Sequence, residues 1–137
     1  MKFGDKLREQ RTKAGLTQEE LGKAVDISRR TLINYENGNS YPQDRKVYYK
    51  LAEYFDVDVN YFLTENEEFL ALAAEGYGKR GQEQANHILE QASALFAGGE
   101  LSESDQIAFL HSMQAIFLES KEIARDKFTP KKYRKGK

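Results

Sequence analysis

Cysteine is absent from the 137 residues, so disulfides and thiolate-held metals are excluded. Proline occurs only twice, and β-branched runs are scarce. Both shortages favour an all-α chain over a sheet protein. No apolar run approaches the ~20 residues that span a bilayer, and the first residues lack the apolar centre of a secretory leader. The expectation is a cytoplasmic protein with no membrane partner, built as one modest domain or a small domain with an appendage. An overall excess of either charge is missing too, since 21 Lys and Arg face 22 Asp and Glu.

The near-zero net charge conceals an asymmetry. Residues 1–63 carry eleven cations and ten carboxylates, residues 64–126 carry four and twelve, and residues 127–137 carry six and none. Affinity for a phosphate backbone depends on where cations sit rather than on their total. A nucleic-acid ligand therefore stays open for the N-terminal half.

The pattern along the chain is helical. Phe3, Leu7 and Ala14 mark one face of a first helix that Gly15 stops. Thr17 followed by Glu20 is a capping box, opening a second helix with Leu21, Ala24 and Val25 toward the core. Asp26 interrupts it. Ser28 caps a third helix running to about Glu36, ended by Asn37 and Gly38. After a loop with Pro42, Asp44 starts a fourth helix with Val47, Tyr48, Leu51 and Phe55 spaced for burial, and Asp58 caps a short fifth helix with Val59, Phe62 and Leu63.

The second half reads differently. Residues 64–75 are acidic and alanine-rich, and Gly76, Gly78 and Gly81 separate them from the next helix. On that helix Ala85, Ile88, Leu89, Ala92, Leu95 and Phe96 form a broad stripe. Gly98 and Gly99 make a turn, and Ser102 with Asp105 opens a last helix. That helix has two apolar faces: Ile107, Leu110, Met113, Phe117 and Ala124 on one, Phe109, Ile116 and Ile123 on the other. Two faces call for more than a single hairpin partner.

Two short helices joined by a tight turn, residues 16–38, are what a helix-turn-helix needs. The stretch LTQEELGKAVDISRRTLINYENG, with its TQEEL start, S-R-R opening and YENG end, resembles the Xre family, the Cro and CI type of phage repressors. The likeness covers residues 3–63. It implies a five-helix lambda-repressor-like DNA-binding domain at 1–64, and the pattern beyond it completes an all-α chain with a connector at 65–81, a helical hairpin at 82–127 and a basic flexible tail at 128–137. It also implies base contacts at Ser28, Arg29, Arg30 and Asn34. Arginine reads guanine bidentately and asparagine reads adenine. Gln18, Thr31 and Asn37 fall where phosphates are held. Arg11 and Glu36 match a buried ion pair, and Tyr35 reads as core. Arg45 and Lys46 are either further phosphate contacts or a solvated helix start. The chain departs from the family at Gly22, where alanine is usual, and at Asp26, where glycine is usual. Glycine still permits close packing, and Asp tolerates a left-handed backbone.

The implied function is a transcriptional regulator, read as a dimeric repressor on double-stranded DNA, with the hairpin either joining two copies or bracing the first domain within one chain. The C-terminal stretch from Leu95 also resembles Xre-type regulators of Gram-positive bacteria that lie beside metallopeptidase antirepressor genes, which raises a protein partner. An antitoxin that binds a protein and its own operator is the alternative. The GYGKRG segment at 76–81 fits G-x-G-x-x-G but lacks the strand a dinucleotide site requires, so it reads as a helix break. His87 and His111 sit in different helices, no metal or cofactor is implied, and no nucleophile has a matching base.

Overall fold

The computed structural model describes residues 1–128, with side chains described through Glu122. The basic tail expected at 128–137 lies outside the described residues apart from the last helical position, as do the side chains of Ile123 and Ala124. The described residues are all-helical: α1 (Phe3–Lys13), α2 (Gln18–Val25), α3 (Arg29–Glu36), α4 (Arg45–Phe55), α5 (Val59–Phe62), α6 (Glu65–Phe96) and α7 (Glu103–Phe128). No helix among them is long and apolar enough to cross a membrane.

Local chemistry sets these boundaries. The Thr17 hydroxyl accepts from the Glu20 N–H at 3.0 Å, and the Glu20 carboxylate accepts from the Thr17 N–H at 2.9 Å, closing the capping box of α2. Asp26 ends α2 in the left-handed region, φ 55°, and the Ile27 N–H bonds back to the Gly22 carbonyl. Ser28, Asp44 and Asp58 cap α3, α4 and α5 through backbone N–H groups two or three residues on. Caps of this kind contribute about 1 kcal/mol each.

Helices α1 to α5 close around Phe3. Its ring meets Tyr35, Tyr48 and Phe62 edge-on, with centroids 5.7, 5.1 and 5.8 Å away. Leu7, Leu21, Val25, Leu32 and Leu51 fill the rest of this core. Gly4 lets α1 press against α3, since a Cβ there would overlap the Tyr35 carbonyl oxygen. Gly22 has a similar role, with a Cβ falling 2.5 Å from the Ile27 carbonyl oxygen. Ala14 and Ala24, expected toward the core, are exposed. Ala14 already lies beyond the last turn of α1, and Leu21, Gly22 and Val25 supply the buried face of α2.

The second half is one kinked helix folded against α7. Gly78 adopts φ 71°, ψ −166° and divides α6 into a limb before it and a limb after it. Phe69, Leu70, Ala73 and Ala85 form a second core with Leu89, Phe117 and Leu118. Segment 65–81, expected as a connector, thus supplies much of that core. Its acidic, alanine-rich composition masks an inward stripe at helical spacing. Phe69 and Phe117 pack edge-on at 5.6 Å, and Phe96 and Phe109 at 6.0 Å.

This second core is anchored to the first. Half-buried Tyr41 touches both clusters. The buried Gln82 amide donates to the carbonyls of Pro42 at 3.0 Å and Leu70 at 3.3 Å. Arg45, at the start of α4, pairs with Glu68 and Glu75. Leu95, Ile107, Phe109 and Ile116 stay exposed along the hairpin, Ile116 at 61%.

Candidate nucleic-acid interface

The candidate site starts at Ser28. Its hydroxyl accepts from the Thr31 N–H at 3.1 Å and donates to the Thr31 hydroxyl at 2.8 Å. The Ser28 proton is therefore committed within the cap, while the Thr31 hydroxyl keeps its own proton to donate outward. Arg29 and Arg30 follow, both exposed and without an ion-pair partner among the described residues. They occupy the leading end of α3. Asn34 stands one turn after Arg30 on the same side. Its side-chain amide has no hydrogen-bond partner among the described residues, and its carbonyl accepts from the N–H groups of Asn39 and Ser40 at 2.9 and 3.3 Å.

The trailing end of α3 is tied down by Glu36. Its carboxylate is wholly buried and accepts from Arg11 at 2.7 and 2.9 Å, from the Gln18 amide at 3.1 Å and from Arg8 at 3.4 Å. Arg11 also donates to the Leu16 carbonyl at 2.9 Å. Burial alone would push the Glu36 carboxyl up. The hydrogen bonds from Arg11 and Gln18, the Arg11 charge and Arg8 together hold it below the usual carboxylate range. The expected Arg11–Glu36 pair is therefore the centre of a larger cluster.

That cluster positions Gln18 at the start of α2. One amide N–H is held by Glu36, which leaves the other N–H for an external acceptor. Asn37 is exposed at the end of α3, and its Oδ1 accepts from Arg8 at 3.5 Å, a long contact. Gln18 and Arg8 thus meet on one carboxylate and Arg8 reaches on to Asn37, bringing together the beginning of α2 and the end of α3.

Arg8 escaped sequence reasoning as a candidate. Its side chain is half exposed, and it links Glu36 to Asn37. The signal was its position three residues before Arg11, one face of α1 carrying both guanidinium groups. Arg45 moves the other way. Its guanidinium donates to Glu68 and Glu75 at 2.6 Å each, so its charge is answered from α6. Lys46 remains exposed. Elsewhere, His111 lies 2.9 Å from Glu65, His87 is exposed, and no group of three metal-ligating side chains occurs among the described residues.

A helix-turn-helix domain family matches residues 4–68. The chain is 30% identical over 104 residues to the HTH-type transcriptional regulator ImmR of Bacillus subtilis (strain 168), covering 75% of this chain and 81% of that one. It is 33% identical over 73 residues to the HTH-type transcriptional activator BcrR of Enterococcus faecalis, covering 53% of this chain and 35% of that one. An uncharacterized HTH-type transcriptional regulator of Archaeoglobus fulgidus is 39% identical over 64 residues, 46% of this chain and 90% of its own length. No solved structure matches.

Proposed function

Because the chain belongs to the Xre-like helix-turn-helix transcriptional regulators, we propose that it is a dimeric repressor that reads an operator through the major groove. The observation that carries this reading is the leading end of α3, where Arg29 and Arg30 stand exposed and unpaired among the described residues. Such a helix end enters the groove while the preceding helix spans the backbone. Arg29 and Arg30 read guanine, Asn34 reads adenine, and the remaining lone pair of Ser28 accepts from a base. The free N–H of Gln18, the hydroxyl of Thr31 and the amide of Asn37 hold phosphates on either side.

Dimerisation is read from apolar side chains that the hairpin leaves uncovered. Leu95, Ile107, Phe109 and Ile116 leave apolar surface exposed on a helix pair that already has a core of its own. Two copies joined there present two copies of α3 to the two halves of a palindrome. The same surface favours the second reading, a protein partner such as an antirepressor metallopeptidase or a toxin. Sedimentation of the purified chain separates the two readings, since only the first requires a dimer of this chain alone.

The test is selection of bound fragments from a random DNA pool, followed by transcription from a promoter that carries the recovered site. A palindromic consensus and reduced transcription are the expected results. Enrichment of no sequence would overturn the reading, and increased transcription would replace repressor by activator.

A further inference from the structure

None of the residues proposed to read bases or to join two copies falls in the GYGKRG segment. The structure gives it another role. Gly78 turns α6 with a backbone that L side chains rarely adopt, and Gly81 is buried, with space for a Cβ closed by Tyr77 and the Ala73 carbonyl. The turn directs one face of the second limb, Lys79, Gln82, Glu83 and Asn86, onto the loop after the recognition helix. These residues line a small cleft whose other wall is Asn39, Ser40, Tyr41 and Gln43. The Gln82 bond to the Pro42 carbonyl closes its floor.

The cleft is connected to α3 by backbone bonds. Asn39 and Ser40 donate their N–H groups to the carbonyl of Asn34, the residue proposed to read adenine. Lys79 is therefore one loop away from the trailing end of the reading helix. Residues 64–126 hold only four cations against twelve carboxylates, and two of the four are Lys79 and Arg80 at this kink. Both are exposed, and neither has an ion-pair partner among the described residues. Glu83, one turn after Lys79, is the one carboxylate lining the cleft.

We propose that the kink in α6 delivers Lys79 to the DNA backbone, so that Lys79 and the amide and hydroxyl side chains of Asn39, Ser40 and Gln43 form a phosphate subsite flanking the groove read by α3. The proposal rests on the DNA-binding reading. It adds that the acidic second half of the chain touches the duplex at one point. A lysine serves as a flexible point charge there, and the polar loop side chains supply neutral donors. Glu83 weakens the subsite by its proximity to the same phosphate.

The experiment measures affinity against salt concentration for the full chain, on the operator recovered by selection and on a mixed-sequence duplex. One neutralised phosphate contributes about 0.9 to the slope of log affinity against log salt, which is about eightfold in affinity between 1 M and 0.1 M salt. Lys79→Gln is expected to flatten the slope by about 0.9 and to lower affinity for both duplexes by the same factor. Arg80→Gln, whose side chain does not line the cleft, should act more weakly, and Glu83→Gln should strengthen binding to both duplexes. All three positions are on the surface, so circular dichroism of each variant should match the parent. An unchanged slope in Lys79→Gln would overturn the proposal. Equal losses in Lys79→Gln and Arg80→Gln would also overturn it, because they would indicate diffuse attraction rather than a contact. A parent chain that binds neither duplex would remove the DNA-binding reading itself, and this subsite with it.

Discussion

Replacing Glu36 by glutamine removes one negative charge from the centre of three donors. The parent carboxylate is fully buried, and Arg11 beside it is only 14% exposed. The variant leaves the Arg11 guanidinium with the Leu16 carbonyl and a neutral amide in place of a carboxylate. Removing one partner of a buried pair costs about 3–5 kcal/mol. The lower end applies here, about 3 kcal/mol, because Arg11 keeps a backbone acceptor and some water. For a chain of this size that is a fall of roughly 10 °C in Tm. The pH dependence gives an independent check. The folded carboxyl is held below its ordinary value, so its contribution is complete above the usual carboxylate range near pH 4.3 and is lost as pH falls through the depressed folded value. The gap between parent and Glu36→Gln, measured by urea unfolding, should be widest near neutrality and close on acidification. Arg11→Met combined with Glu36→Gln should recover part of the loss, because no orphan charge remains. Equal stability of parent and Glu36→Gln at neutral pH, or a gap that persists in acid, would refute the reasoning.

Gly4→Ala should cost about 1–3 kcal/mol, since its methyl would run into the Tyr35 carbonyl oxygen and push α1 off α3; thermal unfolding reads this directly. Arg29→Ala and Arg30→Ala should each lose about 1–3 kcal/mol of specific binding and relax base preference, whereas Gln18→Ala and Asn37→Ala should weaken binding to all sequences alike, as measured by titration on matched and mutated operators. Ile116→Asp, at the most exposed of the apolar hairpin residues, should shift the chain toward monomer in sedimentation without loss of helix content.

The first five helices were legible because most begin with a side chain that caps them. Thr17, Ser28, Asp44 and Asp58 do in the structure what their positions in the sequence imply. Aromatic spacing likewise pointed to Phe3, Tyr48 and Phe62 as core. Two kinds of feature were not legible. Burial of an alanine depends on packing rather than period, so Ala14 and Ala24 were misplaced while the buried Ala71 and Ala73 gave no signal. Long-range pairing has no sequence spacing at all. Arg45 was open as a phosphate contact or a solvated helix start, and only the fold brings Glu68 and Glu75 of α6 within its reach; Arg8 looked ordinary until Glu36 and Asn37 met it. The leading end of α3 was the most readable part of the candidate site, because its residues are consecutive. The Glu36 cluster draws on α1, α2 and α3, and only the fold assembles it.

The joint between the two halves is made of a shared tyrosine, a buried glutamine amide and a doubly paired arginine. Were that joint to act as a weld rather than a tether, it would fix the angle between the first five helices and the hairpin. In a dimer built through α7, the two reading heads would sit like the jaws of a calliper locked at one setting. Half-sites are about one helical turn apart in such operators, so a single inserted base pair would both lengthen and twist the gap. A locked calliper has no slack to follow that change, and discrimination by spacing would come from rigidity alone.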